Sequence, residues 1–165
     1  MTGVGIVFQV GDKIVHPMHG AGEIDRIVEK KINGVLRSYY ELKLPVGGMV
    51  VMIPTENCTE IGVRPVVDRE QGERVIEAMG TIEVPMDQNW NRRYRDNMLR
   101  LKSGDLLEVA RVVKGLMLRD AQRGLSNGER KMLHSAKQIL ISELVLSQGS
   151  SYEEIEARIN RALTQ

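Results

Sequence analysis

The sequence predicts an α+β protein in which a small antiparallel β-sheet or barrel precedes five helices. Three observations carry that expectation. From Phe8 to about Val63 the chain breaks into short alternating or β-branched runs separated by tight-turn residues, as short strands require. Beyond residue 65 apolar residues recur at helical spacing almost to the end. Between the two regimes lies Gly62-Val63-Arg64-Pro65, so a domain boundary is expected near residues 64–68, dividing the chain into units 1–65 and 66–165.

In the first unit, Val10-Gly11-Asp12 reads as a turn and Lys13-Ile14-Val15-His16 as a strand closed by Pro17. Gly20-Ala21-Gly22 is expected to be a bend, and Ile24–Ile32 a longer strand. Asn33-Gly34 after it marks a two-residue hairpin, because both central residues of a type I′ turn need positive φ. Tyr40, Leu42 and Leu44 alternate with Glu41 and Lys43, the pattern of a half-buried strand. Pro45–Gly48 turns the chain into Met49–Ile53, which ends at Pro54.

In the second unit Asp68 is placed to cap a helix running to about Met79, with Gly80 after it. Residues 80–87, containing Pro85, form a connector. The second helix begins at Asp87 or Gln88; its spacing puts Trp90, Tyr94, Met98 and Leu101 on an inward stripe and turns Asn91, Arg92 and Arg95 outward. Ser103-Gly104-Asp105 restarts the chain, and Leu106, Val109, Ala110, Val113, Leu116 and Met117 form the apolar face of a third helix that Gly124 stops. Ser126-x-x-Glu129 and Ser151-x-x-Glu154 are capping boxes. The first opens a helix burying Met132, Leu133, Ala136, Ile139, Leu140 and Leu144, the second a helix burying Ile155, Ile159 and Leu163.

At 165 residues with net charge +1, the chain can bury a normal core and is not a general coat for nucleic acid. It has no membrane-length apolar run and no secretory leader pattern. With one cysteine, no internal disulfide is possible, and a cytoplasmic location is expected. Charge is segregated along the chain. Residues 66–88 are acidic, residues 89–102 carry five cations against Asp96, and residues 111–137 carry seven against Asp120 and Glu129.

Catalytic and metal chemistry find little footing. His16 and His19 flank Pro17, which prevents the helical presentation a metal-binding pair would use. Cys58 has no sequence neighbour to lower its pKa. Gly11, Gly20 and Gly22 are not followed by the Gly-Lys-Ser/Thr of a phosphate loop. No enzymatic activity, metal or cofactor is expected.

Asn89-Trp90-Asn91-Arg92-Arg93-Tyr94-Arg95 holds the only tryptophan and the densest arginine run. Composition and periodicity leave two readings open. Either Trp90 is a core residue among solvated arginines, or its position in the first helical turn leaves one edge free to stack on or wedge against a base step.

The order and spacing of several motifs resemble the CarD family of bacterial RNA polymerase-binding transcription regulators, also called CdnL. They are Val10-Gly11-Asp12 with His16-Pro17 and His19-Gly20, Pro54-Thr55-Glu56-Asn57, Gly62-Val63-Arg64, Asn89 to Tyr94, Ser103-Gly104-Asp105, Arg123-Gly124-Leu125-Ser126 with Glu129, and Gln138-Ile139-Leu140. The resemblance implies a Tudor-like first domain that binds the RNA polymerase β subunit and a helical second domain that meets promoter DNA at the upstream edge of the bubble. It implies Trp90 as a minor-groove wedge, with Arg92, Arg93, Arg95, Arg130 and Lys131 as phosphate contacts. Lys30 stands where relatives place a polymerase-contacting cation, and Met52 replaces a basic residue at a second such position. The alternative is an adaptor whose helices dock protein and never touch DNA.

Overall fold

The computed structural model describes residues 7–164. Five strands come first: β1 Lys13–His16, β2 Gly20–Ile32, β3 Val35–Lys43, β4 Val50–Pro54 and β5 Arg64–Pro65. They form one antiparallel sheet in the order β4-β3-β2-β1-β5. Asn33 and Gly34, both at positive φ, close the β2–β3 hairpin, as its sequence predicts. Phe8, Ile14, Ile24, Tyr40, Leu42, Leu44, Ile53, Cys58 and Val63 pack into the core of the sheet. The Tyr40 hydroxyl, buried with its ring, accepts from the Val7 and Phe8 amides and so closes the start of the described chain over that core.

One local expectation changes. Gly20-Ala21-Gly22 is not a bend but the opening of β2, paired with His16, Val15 and Ile14 of β1. Its glycines serve close approach rather than chain reversal. Gly20 sits at φ +101, and a Cβ there would lie 2.7 Å from the Ser142 hydroxyl. At the expected domain boundary, Arg64 and Pro65 pair with Val15 and Ile14 as β5.

Five helices follow: α1 Arg69–Ala78, α2 Trp90–Lys102, α3 Leu106–Arg123, α4 Asn127–Gln148 and α5 Tyr152–Leu163. Asp68, Asn89, Asp105, Ser126 and Ser151 cap their N-termini through side-chain oxygens. A second core joins Ile76 and Met79 of the α1 region to Leu101, Val113, Leu116, Met132, Leu140, Leu144, Ile155 and Ile159.

α4 buries more than the predicted stripe, because Ile141, Ser142 and Glu143 are sealed as well. The reason lies in the sheet. α4 packs on β2, and the Ala21 amide donates to the Ser142 hydroxyl at 2.9 Å. The fully buried Glu143 carboxylate accepts from Arg64 Nη1 and Nη2 at 2.7 and 2.8 Å, and from the Val67 amide at 2.9 Å. Arg64 Nε also donates to the Gly104 carbonyl, in the α2–α3 turn, at 2.6 Å. One helix therefore belongs to the helical core and also packs on the sheet, and a buried carboxylate fastens the last strand to the helices.

Candidate nucleic-acid interface

The start of α2 lies against the start of α4, and the contact is polar. Asn89 caps α2 by accepting from the Arg92 amide at 3.0 Å. Ser126 caps α4 by accepting from the Glu129 amide at 3.2 Å. Glu129 was expected to reach back to the Ser126 amide; instead its carboxylate turns across to α2 and receives Arg93 Nε at 2.7 Å and Nη2 at 3.2 Å. Arg93 Nη1 donates to the Asp87 and Gln88 carbonyls, so the guanidinium also anchors the connector. Both side chains of this pair are buried, at 3% and 2% exposure. Burial pushes the Glu129 carboxyl up, but the hydrogen bond and charge of Arg93, with Arg119 and the Ser126 hydroxyl, outweigh it and leave the carboxyl below the usual glutamate range.

Above this pair stands Trp90. It is 42% exposed. Its indole stacks on Tyr94 with centroids 5.0 Å apart and planes 20° from parallel, and its Nε1 donates to the Ser126 hydroxyl at 3.0 Å. Gly128, in the first turn of α4, lies under the pair: a Cβ there would be 3.4 Å from the Trp90 ring and 3.7 Å from Tyr94. The indole is thus held by a ring, a hydroxyl and a helix backbone while part of it stays open to solvent.

The inward stripe of α2 runs differently from its prediction. Arg93, Asn97 and Leu101 are the buried residues, while Tyr94 and Met98 are partly covered and Trp90 is outside. The buried acceptor on α4 is what draws an arginine inward, an attraction that helical periodicity of apolar residues cannot register. Among the arginines of the heptad, Arg92 and Arg95 are exposed and Arg93 is not. Arg93, expected among the phosphate contacts, spends its donors on Glu129 and the connector and is placed to support the surface, not to form it. Arg130 and Lys131, next along α4, are exposed, with Arg130 Nη2 donating to the Leu125 carbonyl at 3.0 Å. Trp90, Arg92 and Arg95 thus lie in the first two turns of α2, and Arg130 and Lys131 near the start of α4, on the two helices that meet at this junction. Ser126, Gly128 and Glu129, which order that junction, were legible as a cap but not as partners of α2.

The chain matches a known family in both halves. Residues 8–67 match the domain described as "CarD-like/TRCF RID domain", and residues 74–160 match "CarD, C-terminal domain". The chain belongs to the CarD family. A relative from Bacillus subtilis (strain 168), named "Putative transcription factor YdeB", is 36% identical over 151 residues, covering 92% of this chain and 99% of its own. In this CarD-family chain the two remaining candidate positions lie on the sheet. Lys30 is exposed on β2 opposite Arg37 of β3, and the hairpin beyond it exposes Ile32, Val35 and Leu36. Met52 is half-buried and pairs with Glu41 on β4, the edge strand farthest from β5. The rings of His16 and His19 lie 4.4 Å apart, tilted by 42°. His16 is held below its ordinary pKa by burial and by His19, and its Nδ1 accepts from the Met18 amide, so it serves the turn as a neutral acceptor.

Proposed function

We propose that this protein is a transcription regulator with two working units, residues 1–65 and 66–165. The first docks on the RNA polymerase β subunit; the second meets promoter DNA at the upstream edge of the bubble and stabilises the open complex. The observation that carries the reading is Trp90: the chain's only tryptophan stands partly exposed, seated on Tyr94 and Ser126, on a helix whose first turns also expose Arg92 and Arg95. An apolar ring presented this way suits a minor-groove step that is already distorted, while Arg92, Arg95, Arg130 and Lys131 supply phosphate contacts that fix position without reading sequence. Membership of the CarD family and a relative named as a transcription factor support the same conclusion.

On the sheet, Lys30 and the apolar hairpin tip offer a mixed polar and apolar contact for polymerase. Met52 lies on the outer strand, whose free backbone edge suits pairing with a strand of a partner. Tethering by the sheet would hold Trp90 at high effective concentration over the promoter, so weak DNA contacts suffice. The effect is one of differential binding and needs no chemical step: a ring that fits the opened fork better than closed duplex shifts the equilibrium toward the open state. Its setting is the cytoplasm, with polymerase. The test is Trp90→Ala. Polymerase binding stays as in the parent protein, and most of the increase in open-complex lifetime is lost; an unchanged lifetime overturns the wedge role.

A further inference from the structure

We propose that Ser126 is a positioning residue for Trp90: its hydroxyl holds the indole in one orientation before DNA arrives. The inference rests on the wedge reading above and adds the group that sets the wedge.

A serine hydroxyl has one donor and two acceptor lone pairs, and here all three are engaged. Ser126 Oγ accepts from Trp90 Nε1 at 3.0 Å and from the Glu129 amide at 3.2 Å. It donates toward Glu129 Oε1, 3.4 Å away. Glu129 is itself clamped by the buried Arg93 guanidinium. The hydroxyl therefore cannot rotate away from the indole without losing its own cap or its contact with the carboxylate. A chain of fixed groups runs from α2 through Arg93 and Glu129 to Ser126, and back to Trp90 on α2. Tyr94 covers one face of the indole, and Gly128 lies against Cζ2 of the indole and Cε2 of Tyr94; neither contact is directional. The Nε1 hydrogen bond is directional and sets the orientation of the ring.

The arrangement has a consequence for recognition. Indole has a single hydrogen-bond donor, and this one is occupied within the protein. Trp90 as positioned offers DNA an apolar edge and no donor for a base acceptor, so it responds to how readily a step opens and not to its hydrogen-bonding pattern.

Ser126 also caps α4, and the test must separate the two roles. Ser126→Ala removes the hydroxyl and the cap. Ser126→Gly removes the hydroxyl but keeps most of the capping propensity. Ser126→Thr restores the hydroxyl. Hydrogen exchange of the indole N–H, followed by NMR in the free protein, reads positioning directly, since the single tryptophan gives one indole signal. Loss of one hydrogen bond corresponds to exchange about fivefold faster, expected for both Ala and Gly variants and reversed by Thr. Open-complex lifetime is expected to fall in the same two variants, part of the way to the Trp90→Ala value, with Thr close to the parent. Parent-like exchange and lifetime in Ser126→Gly, with a defect only in Ser126→Ala, assigns Ser126 to capping alone and overturns the proposal. If Trp90→Ala itself leaves the lifetime unchanged, the wedge reading fails, and indole exchange still decides whether Ser126 positions the ring.

Discussion

Replacing Glu143 by Gln tests whether the sheet and the helices are joined by a specific ion pair or merely by apolar contact. The substitution keeps size and shape while removing the charge that receives three hydrogen bonds from Arg64 and Val67. A neutral amide presents one acceptor oxygen and one donor nitrogen, so it cannot accept from both guanidinium nitrogens and the amide together. Breaking a buried pair by changing one partner costs about 3–5 kcal/mol when the remaining charge is fully buried. Arg64 retains 27% of its side-chain exposure and keeps its bond to Gly104, which lowers the expected loss to about 2–3 kcal/mol. For a chain of this length that corresponds to a fall in Tm of roughly 4–12 °C. Urea unfolding of the parent, Glu143→Gln, Arg64→Met and the double variant supplies the measurement. The two single losses should overlap, leaving a coupling of about 1.5 kcal/mol or more. Trp90 emission in folded Glu143→Gln should match the parent, because the junction of α2 and α4 holds its own contacts. Losses below about 0.5 kcal/mol, or strictly additive ones, would refute the fastening role.

Two further outcomes follow from the charge arrangement around the α2–α4 junction. The Glu129 carboxyl lies below its ordinary range in the folded protein, so it contributes stability that is fully present above its unfolded pKa, about 4.3, and is lost as pH falls through the lower folded value. Trp90 fluorescence should therefore hold steady from pH 7 to 5 and change only under more acidic conditions, with Glu129→Gln flattening that acid limb. Arg92→Gln should weaken promoter binding similarly across sequences and reduce the slope of log K against log salt by about 0.9; an unaltered slope would favour an adaptor that docks protein through these helices.

Much of the fold is written locally. Asn33-Gly34, the alternation Tyr40-Leu42-Leu44, and the side chains of Asp68, Ser126 and Ser151 announce their turn, strand and caps through chemistry confined to a few residues. What escapes local reading depends on partners far along the chain. Gly20–Gly22 looks like a bend until Ser142, more than a hundred residues later, is seen to need the space. Arg93 looks like one more surface cation until Glu129 supplies its buried acceptor. Trp90 shows the opposite error, since apolar periodicity sends it inward while a hydroxyl on a neighbouring helix holds it at the surface. Polar pairing between distant segments accounts for all three, and hydrophobic spacing carries no trace of it.

The long fourth helix gives these placements a fixed phase. Ser126, which holds the indole, caps α4, and Ser142 and Glu143, which bear on the sheet, lie further along the same helix. Sixteen residues of helix span about 24 Å, and each residue turns the chain by about 100°. Inserting or deleting one residue between them would shift the ring by only about 1.5 Å yet swing it more than a quarter turn around the helix axis relative to the sheet. Substitutions along the outer face of α4 leave that relation alone; changes in its length do not, so this helix tolerates spelling errors far better than errors of count.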